Sequence, residues 1–202
     1  MRALSICLIL LMAAAVAFAD KKDETKFSPG PASSYPNKQT NDKVTLAAAA
    51  YDSEELAHTA FGKLDPNKYG VLPVLVIIQN DTDQALKLDH IEVEYTGADN
   101  RHVEATPAGD VQTLGGPVKQ PHMGSGSPLP PLRKHKNPLS AWEIEGRGFA
   151  ARMIPPHESA NGFFYFQTEY RTGSKFYLTG IKVASTGQDI LFFEVGLDKT
   201  PK

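Results

Sequence analysis

The chain has 202 residues, and its 21 lysines and arginines against 23 aspartates and glutamates give a formal net charge of −2 at pH 7. This balance provides no basic footprint for nucleic acid. The single cysteine, Cys7, lies in the hydrophobic amino-terminal segment, so the remaining chain supplies neither disulfides nor a thiol nucleophile. The length is sufficient for one domain whose hydrophobic core does not require disulfides.

The first 19 residues have the features of a secretory signal peptide. Arg2 precedes an apolar run from Ala3 to Phe18, and Ala17 and Ala19 form the small-residue pattern of a cleavage site. A membrane anchor is the alternative, but the run is short for a transmembrane helix, which needs roughly 20 apolar residues. We therefore expect cleavage after Ala19, a periplasmic or secreted product, and no membrane span in the mature chain.

Residues 20–43 are polar, rich in Pro, Ser, Asn and Lys, and have no periodic apolar face. Such a segment cannot offset the entropy of ordering, so we predict a disordered linker followed by one domain over residues 44–198. The domain begins with the apolar run 44–51, which predicts a strand, although its four alanines leave a helix open. Ser53 as an amino-terminal cap and Gly62 as a stop then predict a short helix between them.

The strongest strand pattern is the β-branched run from Val71 to Ile78, which is typical of a strand buried on both faces. Pro73 must then lie at the beginning of that strand or at a sheet edge. The Asn-Asp-Thr-Asp sequence at 80–83 predicts a turn, after which residues 85–88 resume the pairing. Alternation predicts one further strand with a solvent-exposed face, with Ile91, Val93 and Tyr95 against His90, Glu92 and Glu94.

Residues 106–140 concentrate Pro, Gly and Ser with almost no aromatic residues, which predicts a long surface insertion rather than a second domain. Strand patterns then return, and the last two predicted strands form a hairpin across residues 185–189. These later strands are predicted over residues 142–153, 162–166, 176–184 and 190–197. About seven short strands with one brief helix predict an all-β fold, an immunoglobulin-like β-sandwich.

A polar cluster precedes the aromatic run in "IPPHESANGFFYF", where His157, Glu158 and Ser159 are adjacent. Consecutive residues of an extended chain point to opposite sides, so these three side chains cannot converge as a catalytic triad does. We interpret the stretch as a turn into a buried strand. Gly162 then allows close approach to a neighbouring backbone, and Phe164 or Phe166 fills the core.

Two motifs carry a resemblance to a known class of proteins. The run "LPVLVIIQNDTDQALKL" and the later "IPPHESANGFFYF" resemble the paired signature of secreted bacterial immunoglobulin-like domains of unknown function. That signature consists of a buried strand ending in an Asn-centred turn and a Pro-Pro turn entering an aromatic strand. The likeness covers residues 44–197, with the long insertion as a departure. It implies the fold and a non-catalytic role, and it transfers no active-site residues.

His90, Glu92 and Glu94 share one strand face at a spacing that could provide metal ligands, and His102 follows nearby. Alternating polar residues on a half-buried strand are more often simply its solvent face. We therefore predict neither a metal site nor a cofactor at these positions. They remain, with His157, the residues that an enzymatic alternative would use.

Two surface motifs remain. The prolines of the basic sequence at 128–136 favour an extended conformation, and this sequence is our candidate binding loop. Asn80 opens an Asn-Asp-Thr glycosylation sequon, which matters only in a eukaryotic source. The charged end of the candidate binding loop consists of Arg133, Lys134, His135 and Lys136.

The recognisable catalytic templates are missing from the sequence: it contains no nucleophile elbow, P-loop or dinucleotide fingerprint. We therefore predict an exported, non-catalytic β-sandwich module that binds a protein or a cell-envelope component through a sheet edge or the insertion. A metal-dependent or carboxylate-based extracellular hydrolase is the alternative.

Overall fold

A computed structural model describes residues 27–114 and 137–198, and the predicted signal peptide and candidate binding loop lie outside these ranges. The described part is mostly β-structure, which confirms the all-β class. It contains eleven short strands and two α-helices, more of each than the sequence predicts. The strands are β1 (Lys38–Asn41), β2 (Val44–Ala50), β3 (Leu72–Asn80), β4 (Leu86–Lys87), β5 (Glu92–Thr96), β6 (His102–Glu104), β7 (Met153–Ile154), β8 (Ser159–Phe166), β9 (Lys175–Thr179), β10 (Lys182–Val183) and β11 (Phe193–Gly196). The α-helices are α1 (Glu54–Phe61) and α2 (Trp142–Gly146), and 3-10 helices cover Ala32–Ser34, Pro66–Tyr69, Ala108–Thr113 and Pro138–Ser140.

All strand pairs within the sheets are antiparallel. The first sheet has the order β1-β2-β3-β8, the second β10-β4-β7 and the third β11-β9-β5-β6. β3 lies between β2 and β8, with Val76 opposite both Ala48 and Gly162. Its side chains are buried on both faces as predicted, and Pro73 is its second residue.

The first sheet separates two apolar cores. One face packs against the second and third sheets, and this core includes Phe166, Phe176 and Phe193. The opposite face is covered by the helices and by the segment before β1, and it buries Phe163 and Tyr165. The aromatic run of β8 therefore fills both cores, because successive strand residues point to opposite faces.

The helix α1 follows the prediction in detail. The Ser53 side chain accepts a hydrogen bond from the Leu56 amide, as an amino-terminal cap does. Gly62 ends the helix with a φ of 65°, a conformation that glycine adopts without steric cost. Ala57 and Phe61 lie buried against the first sheet.

The predicted disordered linker is wrong for its described part, residues 27–43. Ala32 is buried, the Phe27 ring lies 5.4 Å from that of Phe163, and β1 pairs with β2 over four residues. Backbone hydrogen bonds to β2 stabilise β1. Its polar side chains remain partly or fully exposed, so the sequence of this strand has no apolar pattern that would indicate it.

The described ends of the predicted insertion, residues 106–114 and 137–140, are partly exposed but contribute buried residues to the domain core. Val111 and Leu139 each lie in a 3-10 helix, and both are fully buried in the second core. The Thr106 amide donates to the Tyr165 carbonyl at 2.7 Å. Residues 115–136 lie outside the described ranges.

Three strand predictions need correction. Residues 142–153 contain α2 and an irregular segment, and only Met153 of this range enters a strand. β4 pairs with β7 and β10 instead of resuming pairing with β3. The predicted strand 176–184 is divided at Gly180, whose φ is 87°, into β9 and β10.

The predicted hairpin across residues 185–189 is confirmed. The Val183 amide donates to the Gln188 carbonyl at 2.8 Å, and β9 pairs with β11. Within the described ranges, no helix is long and apolar enough to cross a membrane.

Candidate functional site

Asn80 joins the two motifs that define the resemblance. It is fully buried at the end of β3, and its Nδ2 lies 2.8 Å from the Gln84 carbonyl and 2.9 Å from the Pro155 carbonyl. The Asn80 backbone amide also donates to the Glu158 carbonyl at 2.9 Å. The Asn-centred turn and the Pro-Pro turn are thus one hydrogen-bonded unit. The same contacts occupy the amide of the sequon, which leaves it inaccessible in the folded protein.

The polar cluster at 157–159 forms the predicted entry to a strand. His157 has a φ of 60°, is exposed, and places Nε2 3.1 Å from Asp83 Oδ1 across the joined turns. Ser159 is the first residue of β8. His157 therefore has its polar contact with Asp83 rather than with its neighbours Glu158 and Ser159.

Gly162 makes the predicted close approach, and its neighbour is the segment after α2. A Cβ atom at Gly162 would lie 2.5 Å from the Phe149 Cα and 2.7 Å from its amide nitrogen. Two hydrogen bonds hold this contact, from the Phe163 amide to the Arg147 carbonyl at 2.8 Å and from the Phe149 amide to the Phe163 carbonyl at 3.0 Å. The arrangement stacks the Phe149 ring on Phe164, with centroids 5.1 Å apart.

A cleft opens beside this stacked pair because the chain changes sheets after β6. The Ala105 amide still donates to Val93 of the third sheet, whereas the Thr106 amide donates to Tyr165 of the first. The edge of β5 near this crossing and the two phenylalanines line a cleft with a volume of about 530 Å³. We call this space the edge cleft. Its lining residues are Ile91, Glu92, Val93, Glu94, Glu104, Ala105, Thr106, Pro107, Ala108, Phe149, Phe163 and Phe164.

Three glutamates form the rim of the edge cleft. Glu94 on β5 lies directly opposite Glu104 on β6, and Glu92 is two residues along the same face of β5. Like charges directly opposite each other in a sheet are destabilising. Glu94 lies 3.0 Å from His102 Nδ1, while no cation of the described chain lies within ion-pair distance of Glu92 or Glu104. The rim thus carries an excess of negative charge.

The floor of the edge cleft is apolar. Ile91, Ala105, Phe149 and Phe164 are partly buried and pack against the first core. Phe163, which lies beneath the cleft, is almost fully buried. The aromatic floor lies on the core side of β5, whereas Glu92 and Glu94 alternate with the buried Val93 and Tyr95 and so lie on the outer face of the third sheet.

The residues of the enzymatic alternative are distributed as follows. His102 and Glu94 meet as an exposed pair, and Glu92 and Glu94 line the edge cleft. His90 lies outside the lining of this cleft, and His157 belongs to the joined turns. In ranges 27–114 and 137–198, no three His, Cys, Asp or Glu side chains are grouped so that they could hold a metal ion.

The sequence does not indicate that Glu104, Phe149 and Phe164 belong to one site. Each lies on a different element, and the sheet change at Thr106 brings these elements together. No protein-family model matches the chain, and the search of curated proteins found no significant match.

Proposed function

We propose that the protein is an exported, non-catalytic module of the immunoglobulin-like β-sandwich type that binds a protein or cell-envelope component at the edge cleft. Export is proposed on the amino-terminal signal pattern. The sandwich type is supported by antiparallel sheets that face each other across one core and by the Asn80 connection between the two signature turns.

The observation that carries the binding proposal is the composition of the edge cleft. Its floor has the stacked Phe149 and Phe164 rings, and its rim has Glu92 and Glu104 without cationic partners in the described chain. Apolar surface with a few convergent polar groups is the usual composition of a binding site. A ligand that brings its own positive charge would relieve the repulsion between the rim carboxylates.

Site-specific photo-crosslinking in the native host tests this proposal. A photoreactive residue replaces Pro107, which is exposed and lines the cleft, and in a control variant it replaces Met153, which is 54% exposed on β7 outside the cleft. We expect a discrete adduct from position 107 that position 153 does not give. Identical adduct patterns at both positions, or none at position 107, would overturn the proposal.

A carboxylate-based extracellular hydrolase is the second candidate, and the specific observation in its favour is the placement of three glutamates in one cleft. Glycoside hydrolysis commonly uses a pair of carboxyl groups. Hydrolysis of an envelope polysaccharide by the purified protein, abolished in both Glu94→Gln and Glu104→Gln, would replace the binding proposal. Glu55→Gln on the exposed face of α1 is the matched control.

A further inference from the structure

The edge strands β1 and β11 lie next to each other, β1 at one end of the first sheet and β11 at one end of the third. β8 and β6, at the other ends of these sheets, border the edge cleft. We infer that the side chains of Asn37, Gln39 and Asn41 act as a substitute strand along the outer edge of β11. They prevent this edge from pairing with β11 of a second copy of the chain. This role goes beyond the proposed function and does not depend on it.

The three amide side chains face β11 because they alternate along the chain. Gln39 lies opposite Leu46 of β2 and Asn41 lies opposite Val44, and both apolar residues belong to the first core. Residues directly opposite each other in a sheet share one face. The amides therefore lie on the face of the first sheet that packs against the third sheet, and Asn37 precedes them at the same spacing.

Three hydrogen bonds join Gln39 and Asn41 to the backbone of the chain at β11. Asn41 Nδ2 donates to the Phe192 carbonyl at 2.9 Å, and Gln39 Nε2 donates to the same oxygen at 3.4 Å. Gln39 Oε1 accepts from the Glu194 amide at 2.8 Å. Gln39 thus offers one donor and one acceptor to this edge, as the backbone of a neighbouring strand would.

The backbone groups that these amides reach are on the side of β11 that faces away from β9. Alternate residues of a strand direct their backbone groups to the same side, so those of Gly196 lie on this outer edge together with those of Glu194. Asn37 continues the row beyond the strand, because its Nδ2 donates to the Asp198 carbonyl at 2.8 Å. The row of amides therefore follows β11 along its whole length.

Without this cover, the outer edge of β11 would be complementary to itself. Antiparallel pairing of two copies, centred on Glu194, places Phe192 opposite Gly196 of the second copy. Phe192 is 50% exposed and follows Leu191, which is 65% exposed. A Cβ at Gly196 would have no atom within 4 Å, so open space is present above this glycine. An aromatic side chain next to a strand glycine is a favourable neighbour, and this pairing would cover both exposed residues.

The residues of β11 provide little protection of their own. Native sheets commonly block an edge with lysine, proline or a bulge. β11 has the sequence Phe-Glu-Val-Gly, and its one charged residue, Glu194, is paired with Lys175 at 2.6 Å. This ion pair offsets the repulsion that two opposed glutamates would produce. Protection of the edge therefore depends on the amides of β1.

The test is the molar mass of the mature protein in sedimentation equilibrium. We expect Gln39→Ala/Asn41→Ala to have about twice the molar mass of the parent protein, since an isologous interface joins two copies. Adding Phe192→Lys to this variant should restore the parent mass, because an edge lysine opposes strand pairing. The matched control is Thr40→Ala/Thr45→Ala, which removes a side-chain hydrogen bond from the opposite face of β1 and should keep the parent mass.

Gln39→Met provides a second variant that decides the question if the double alanine variant does not fold. It keeps the length of the side chain and removes the acceptor of the Glu194 amide. In dilute solution this amide should exchange its hydrogen faster than in the parent protein, as measured by NMR. Its exchange should then slow as the protein concentration rises, because the second copy replaces Gln39. Faster exchange that does not depend on concentration would show a purely structural role and overturn the inference.

Three results of the sedimentation experiment would also overturn it. These are a folded double alanine variant with the parent mass, a dimer that persists after Phe192→Lys, and an equal dimer in the threonine control. None of these measurements involves a ligand of the edge cleft, so they are independent of the photo-crosslinking result.

Discussion

Gly162→Ala should displace residues 147–149, the segment that carries Phe149 and forms part of the aromatic floor of the edge cleft. The new Cβ would lie 2.5 Å from the Phe149 Cα, a distance at which one of the two backbones must move. Movement breaks the two hydrogen bonds that join Arg147 and Phe149 to Phe163, each contributing about 1 kcal/mol. It also separates the stacked rings of Phe149 and Phe164, which contribute about 1 kcal/mol. We therefore expect the free energy of unfolding to fall by about 3 kcal/mol.

The matched control is Gly196→Ala in β11. A Cβ there has no atom within 4 Å, and Gly196 is not among the glycines with positive φ. Its effect should remain within about 0.5 kcal/mol, as for surface substitutions generally.

Urea denaturation followed by circular dichroism measures both variants, and fluorescence of Trp142 reports on the α2 region next to the segment. A Gly162→Ala midpoint equal to that of Gly196→Ala would refute the reasoning. It would mean that residues 147–149 can move without lowering the free energy of unfolding and do not form a fixed part of the cleft floor.

Three further predictions concern the joined turns, alkaline stability and the core. Asn80→Asp should cost about 3 kcal/mol in the same denaturation assay, since a carboxylate would face buried carbonyl oxygens, whereas exposed Asn161→Asp should be nearly neutral. Equal effects would contradict this. Burial, with a smaller contribution from Tyr35, raises the pKa of Tyr51 to about 12. Because this is above the unfolded value of about 10, stability should fall as pH rises from about 10 to 12, and less steeply in Tyr51→Phe; identical profiles would contradict it. Phe166→Ala should cost about 3–5 kcal/mol and His157→Ala less than about 0.5, and a reversed order in denaturation would exclude our account of this strand.

The sequence predicts elements whose side chains have a regular apolar pattern. β3 and α1 are predictable because β-branched runs and capping residues act locally, at Val71 to Ile78 and at Ser53. The close approach at Gly162 is predictable as well, because a glycine inside a strand pattern commonly marks a place where another backbone comes near.

The sequence does not predict elements that are stabilised through the backbone or by residues far away in the chain. β1 is polar and is held by pairing with β2, and the short apolar run of α2 does not distinguish a helix from a strand. The buried positions of Val111 and Leu139 depend on the second core, which their Pro- and Gly-rich surroundings do not indicate.

Only part of the candidate site can be recognised from the sequence. Glu92 and Glu94 are recognisable as one strand face, and a sheet edge is among the binding surfaces that the sequence suggests. Glu104 and Phe149 join them only because the chain crosses between sheets at Thr106, a long-range pairing without a local signal.

Hydrogen–deuterium exchange of the mature protein with and without the partner recovered by position-107 crosslinking tests the central claim most directly. Binding at the edge cleft predicts that backbone amides of residues 91–94, 104–108 and 147–149 gain protection together. The hairpin at 183–188, which is not part of the cleft lining, should exchange at an unchanged rate. Protection confined to other surfaces, with unchanged exchange at all three cleft segments, would contradict the account.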